Sequence, residues 1–204
     1  QNLPGQDLHL EWLALMHFFS AATPLLEWSH SPYVAAHAAT GTDTLADRKA
    51  HPVLWSFNTR LAAAICRAVL QKEKIRYEDS SYRALSAPDI FRQVFDLMVR
   101  QGIGLIMPVF PKRRTAGFLA RQSALTCTAD PSADFGTTLA AMMESADRYG
   151  IDITGGLFRK HILPASAAEE IRESLFAMNM TSRTLNPGLR GFCESLSEYA
   201  KRSL

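Results

Sequence analysis

The stretch His17-Phe-Phe-Ser-Ala-Ala-Thr23-Pro24-Leu-Leu-Glu27-Trp28-Ser-His30-Ser31-Pro32-Tyr33-Val-Ala-Ala-His37-Ala-Ala39 changes character three times. Its start continues an apolar helical pattern, which Pro24 ends because proline has no backbone N–H and clashes with the preceding turn. Leu25 to Trp28 is short and apolar. Ser31-Pro32 then opens a second helix, with a hydroxyl placed to cap it and proline at its first turn, where an N–H is not needed. The Ala-rich run carries that helix through Ala39. Helix, short apolar segment and helix follow one another without the spacing of parallel βαβ units, so a mixed α+β arrangement is the reading taken outward from here.

Upstream, Asp7 is placed to cap a first helix, whose stripe of Leu10, Leu13, Leu15 and Met16 runs through Phe19. Downstream, Thr40 to Ala50 reads as a polar loop and His51 to Phe57 as a strand with Val53, Trp55 and Phe57 on one face. Asn58 or Thr59 caps an Ala-rich helix to about Gln71. Residues 72–87 are the most charged part of the chain and read as a solvated helix end or a mobile loop. Asp89 caps a helix to Gln101, and Ile103 to Phe110 has the density of a buried strand. Arg114 to Gln122 reads as a short helix and Ala124 to Thr128 as a strand. Asp134 or Thr137 begins a helix with Leu139, Met142 and Met143, and Leu157 to Leu163 is a further strand. Ser166 and Glu169 have capping-box spacing, and the helix after them carries Ile171, Leu175 and Met178 on one side. Asn186-Pro187 starts a last helix with Leu189, Phe192, Leu196 and Tyr199 as its inner face. No linker or repeat divides the chain. The expectation is one α+β domain over residues 1–204, with a mixed small sheet packed against several helices, and with Trp12, Trp28, Trp55, Met142 and Met143 in its core.

A chain of 204 residues that is 47% hydrophobic has enough apolar surface for a core without staples. With 22 basic and 20 acidic residues the net charge is +2, so no strong field points to nucleic acid or to a membrane surface, and neither is expected as a partner. The three cysteines, Cys66, Cys127 and Cys193, are odd in number and far apart, which argues against a disulfide framework and for a reducing, cytoplasmic setting. No apolar run approaches the roughly 20 residues of a membrane helix. There is no GxGxxG and no Gly-rich loop ending in Lys-Ser/Thr. The first residue, Gln1, is not an initiator methionine, which suggests a fragment or a processed product.

The quoted stretch resembles the central block of the FRG-domain family, which runs Gln-His-aromatic-Gly-x-Pro-Thr-Arg-Leu-Leu-Asp-Trp before a Ser-Pro that begins an Ala-rich helix. A second likeness lies at Phe158-Arg-Lys-His-Ile162-Leu163-Pro164 and at Thr184-Leu185-Asn186-Pro187-Gly188-Leu189, where the family closes with an Ile-Pro strand, a helix and a Thr-Leu-Phe-Pro-x-Leu-x-Gly run. A weaker one covers Arg114 to Thr128. The chain departs from the pattern in its polar residues. Gln-His reads His17-Phe18, Pro reads Ala22, Arg reads Pro24 and Asp reads Glu27; later, Phe reads Asn186 and an acidic position reads Arg190. Nothing in residues 1–16 supplies the Phe-Arg-Gly segment of the family name. An apolar frame that survives without its polar signature reads as a degenerate member. The resemblance implies a module of a bacterial or phage conflict or defence system that binds a protein partner or a nucleotide. Its alternative implication is a nucleotide-using transferase of ADP-ribosyltransferase type, with NAD as the candidate cofactor, acting as a toxin or effector.

The candidate catalytic residues are Glu27, His17 and His30. Glu27 is suited to accept a ribose hydroxyl or a proton, and either histidine is suited to shuttle a proton near neutral pH. The plainer readings are a strand-end carboxylate paired locally for Glu27 and a hydrogen-bonded core or rim histidine for His17. Thr23, Trp28, Arg114, Arg121 and Gln122 are the candidate binding residues. A helix would put Arg114 and Arg121 on one face to hold an anion. The run Lys112-Arg113-Arg114 also reads as a solvated loop. His30 and His37 have no third ligand at helical spacing, so no metal is expected. Ser123 and Cys127 lack a local base.

Overall fold

The computed structural model describes residues 3–41, 51–75, 82–128 and 134–200. The expected loop at 40–50 lies almost wholly outside these residues, as does the middle of the charged segment 72–87. In chain order the elements are α1 (His9–Phe18), β1 (Leu25–Ser29), α2 (Pro32–Thr40), β2 (Val53–Phe57), α3 (Thr59–Lys72), a 3₁₀ turn (Tyr82–Ser86), α4 (Pro88–Gln101) and β3 (Met107–Val109). They continue with α5 (Ala116–Ala120), β4 (Ser123–Cys127), α6 (Phe135–Arg148), β5 (Phe158–Ile162), α7 (Ala168–Ala177), α8 (Ser182–Leu185) and α9 (Leu189–Ala200). The mixed α+β class expected from the pattern is the one observed, with two small sheets in place of one. Strands β1, β4 and β3 form the first, in that order, and β2 pairs with β5 in the second.

The first sheet is antiparallel between β3 and β4, with Met107 opposite Cys127 and Val109 opposite Leu125. Central strand β4 is buried at every position. The strand expected over Ile103 to Phe110 shrinks to β3. Leu105 and Ile106 are fully buried without being part of the ladder. Pro108 has no N–H to donate, and it is accommodated because β3 is an edge strand. The ends of the second sheet are tied by Asn58 N–H to the Leu157 carbonyl and by Leu163 N–H to the Pro52 carbonyl, both 2.8 Å.

The chain divides into two compact units, each assembled from separate segments. The first comprises residues 1–27, 57–113 and 124–157. In its core Ala62, Ile65, Cys66 and Val69 of α3 are buried with Phe91, Val94 and Met98 of α4, Leu85 of the 3₁₀ turn and Met142 of α6. Asn58 caps α3 through bonds from Arg60 N–H and Leu61 N–H, and Asp134 caps α6 through Thr137 N–H, as their side chains suggest. Two other expected caps fail. Leu8 occupies the N-cap of α1 after a turn in which its N–H bonds the Gly5 carbonyl, so Asp7 stands outside. Ala87 occupies the N-cap of α4, and Asp89 lies in the first turn, where it complements the helix dipole. Met16 and Met143 are exposed rather than core.

The second unit comprises residues 28–56, 114–123 and 158–204. Ser31 caps α2 by accepting from Val34 N–H, with Pro32 at the first helical position. The capping box expected at Ser166 and Glu169 does not form. A 3₁₀ turn (Ala165–Ala167) precedes α7, Ala167 takes the N-cap, and Glu169 pairs with Arg172 instead. The capping box of this unit is at α8, where Thr181 and Thr184 exchange side-chain and backbone bonds. In α9 the expected inner face is the outer one. Leu189 is 78% exposed and Phe192, Leu196 and Tyr199 are also exposed, while Gly191 and Ser195 are buried. The cause is proximity: a Cβ on Gly191 would meet the Asn186 carbonyl oxygen, and the Ser182 carbonyl oxygen at 2.6 Å, so only the smallest side chains face α8. Trp55 is likewise not core. It is 46% exposed, stacked 4.7 Å from Phe158, with the Lys160 ammonium 5.4 Å from its ring.

Candidate functional site

Three of the residues singled out from sequence meet in the first unit, and the end of α1 explains how. After Phe18 the helix closes by bonds from Ala21 N–H to the Met16 carbonyl and from Ser20 N–H to the His17 carbonyl, both 2.9 Å. This is the Schellman pattern, which needs a left-handed residue after the cap. Ser20 supplies it with φ 61°, at the place where the family pattern has glycine. The reversal returns the chain past the last turn of the helix, and Thr23 Oγ1 lies 3.4 Å from His17 Nδ1. Pro24 then anchors the segment, its carbonyl accepting from Thr128 N–H. Strand β1 begins with buried Leu25, and the two-residue period puts Glu27 on the same side. Glu27 Oε2 is 3.5 Å from His17 Nε2, with the histidine and glutamate side chains 21% and 26% exposed. Hydroxyl, imidazole and carboxylate thus form a chain, partly open to solvent.

The remaining candidates, Trp28, His30, Arg114, Arg121 and Gln122, belong to the second unit. Trp28 meets Phe158 edge to face at 5.9 Å. The His30 N–H donates to the Gln122 carbonyl and Ser29 Oγ donates to the Arg121 carbonyl, so both latter residues contribute backbone acceptors. Gln122 itself has φ 50°, the turn between α5 and β4. The expected face shared by Arg114 and Arg121 does not exist. Thr115 caps α5, so Arg114 precedes the helix. The Arg121 guanidinium is directed to the Asn186 side chain and the Leu185 carbonyl, fastening α5 to the end of α8.

Sequence reasoning passed over two carboxylates. Glu11 lies on α1 and is 7% exposed, and its two oxygens accept from Lys112 N–H at 2.7 Å and Arg113 N–H at 3.0 Å. The basic run after β3 is therefore pinned through its backbone. In the second unit Glu198 of α9 accepts from the Ser182 hydroxyl and N–H, with His37 Nε2 at 3.4 Å. Neither carboxylate has a local sequence signal, because its partners are remote along the chain. Burial pushes the Cys66 and Cys127 thiols up to about 12, which leaves both protonated and unreactive at neutral pH. Among the described residues no three His, Cys, Asp or Glu side chains gather as a metal site.

A family model described as FRG domain matches residues 2–48. The resemblance stated from the central block is borne out over that segment, which contains His17, Thr23 and Glu27. No curated protein and no solved structure matches the chain. Among the described residues no helix is long and apolar enough to cross a membrane.

Proposed function

We propose that this chain is a degenerate FRG-type module of a bacterial or phage conflict system, and that it binds a nucleotide at the cluster of His17, Thr23 and Glu27. The observation that carries the reading is the convergence of these three residues from a helix end, a loop and a strand start, within the segment that matches the family. Thr23 offers a hydroxyl to the polar edge of a ligand, with the His17 ring beside it. Glu27 holds the ring from its other side. The family arginine is replaced by Pro24, which has no cationic side chain and whose carbonyl is bonded to Thr128 N–H. This favours a binding module over the ADP-ribosyltransferase-like enzyme, whose phosphate grip calls for a cation.

Calorimetry and thermal shift with NAD, ATP and adenosine test the reading. Binding by wild type that is lost in Glu27→Ala, with adenosine retaining a measurable share, is the expected outcome. Equal binding by the variant, or no shift with any of the three ligands, rejects a nucleotide site at this cluster and leaves a protein partner as the occupant to seek.

A further inference from the structure

Both ring nitrogens of His17 are engaged, and their partners differ in kind. An ionised carboxylate only accepts hydrogen bonds, so in the neutral form of the ring the hydrogen belongs on Nε2, beside Glu27 Oε2. Nδ1 is then the lone-pair nitrogen, and it is the one 3.4 Å from Thr23 Oγ1. A hydroxyl that donates to a neutral imidazole, oriented in turn by a carboxylate, is the arrangement that activates an oxygen nucleophile, and such contacts are often loose before substrate binds. With both ring nitrogens engaged, the reactive atom left to the cluster is Thr23 Oγ1.

We propose that Thr23 is a nucleophile activated by His17 and positioned by Glu27, and that its substrates are activated carboxylic esters. In the first stage Thr23 Oγ1 bonds to the acyl carbon, the bond from that carbon to the leaving oxygen breaks, and the Thr23 proton passes to His17 Nδ1. The imidazolium is stabilised by Glu27 and returns the proton to the leaving alkoxide. In the second stage water attacks the acyl-threonine, His17 takes its proton, and the acid departs as Thr23 is restored. Phosphoryl transfer is disfavoured here because its transition state spreads several negative charges close to the Glu27 carboxylate, whereas an acyl carbon develops one oxyanion. Like the nucleotide reading, this step requires that a small molecule reach the cluster. It does not require the ligand to be a nucleotide.

The experiment is the reaction of the full chain with p-nitrophenyl acetate, followed by absorbance and by fragmentation mass spectrometry. A burst of p-nitrophenolate approaching one equivalent, with the acetyl group on Thr23, is expected. Thr23→Ser should keep the burst and Thr23→Val should abolish it. His17→Asn should slow it by about 100-fold or more. Glu27→Gln should slow it and shift the pH at which the rate rises, which a mere packing role would not do. A burst that survives in Thr23→Val, an adduct confined to lysines, or no burst in wild type overturns the proposal. If Thr23→Val does not fold, the site of the adduct in wild type and Thr23→Ser decides. Failure of calorimetry with a positive ester burst removes the nucleotide reading alone; the converse removes only this one.

Discussion

At the scale of single residues, Glu11 and the site trio show opposite kinds of legibility. His17, Thr23 and Glu27 stand out in sequence as polar types in an apolar stretch. Their meeting was hidden, because the turn that joins them places Ser20 in a left-handed conformation that serine does not announce. Glu11 follows Leu10 on a helix with no local partner to mark it, yet it is buried against two backbone N–H groups about a hundred positions away. The bond from Arg121 to Asn186, 65 residues distant, is equally without a local signal. Removing the Glu11 carboxylate leaves two N–H groups without their acceptor in a protected place. Glu11→Ala is therefore expected to cost about 2–3 kcal/mol. Glu11→Gln should cost nearly as much, because its amide NH₂ points a donor at a donor. Urea unfolding measures both; a loss below about 0.5 kcal/mol would mean that the loop rehydrates freely.

At the scale of elements, the caps that depend on one neighbour were legible: Ser31, Asn58 and Asp134 each accept from a backbone N–H two or three residues on. What failed was orientation. The apolar residues of α9 repeat at helical spacing and imply a core stripe, but the close approach to α8 gives that side to Gly191 and Ser195. Periodicity reports that a helix has an apolar face, and the packing distance decides which face is buried. Gly191→Ala puts a methyl group against two backbone carbonyl oxygens that have no rotamer with which to yield. The helix must shift, at an expected cost of about 2–3 kcal/mol. Ser195→Ala removes only the hydroxyl bond to the Phe192 carbonyl and should cost about 1 kcal/mol. A thermal unfolding series in which the glycine variant is the milder of the two would contradict this account of the α8–α9 packing.

At the scale of the molecule, the organising fact is that neither unit is continuous in sequence. The chain passes from one to the other after residues 27, 56, 113, 123 and 157, and the passages at 27, 56 and 123 fall within strands β1, β2 and β4. A strand cannot lose one end without loosening the ladder at the other, so the units are expected to unfold together. The cysteines provide the test. Cys66 and Cys127 are buried in the first unit with thiols pushed up to about 12, while Cys193 is exposed on α9 in the second. A raised thiol pKa and burial act in the same direction, since both deny the reagent its thiolate. In native protein a disulfide reagent should label Cys193 quickly and the other two only through opening. With increasing urea, labelling of Cys66 and Cys127 should follow the same midpoint as loss of helical circular dichroism and, in a Trp12→Phe background, as the fluorescence change of Trp28 and Trp55, which belong to the second unit. If the two thiols appear at a lower urea concentration than the tryptophan change, the units unfold separately, and the strands crossed by the boundaries do not couple them.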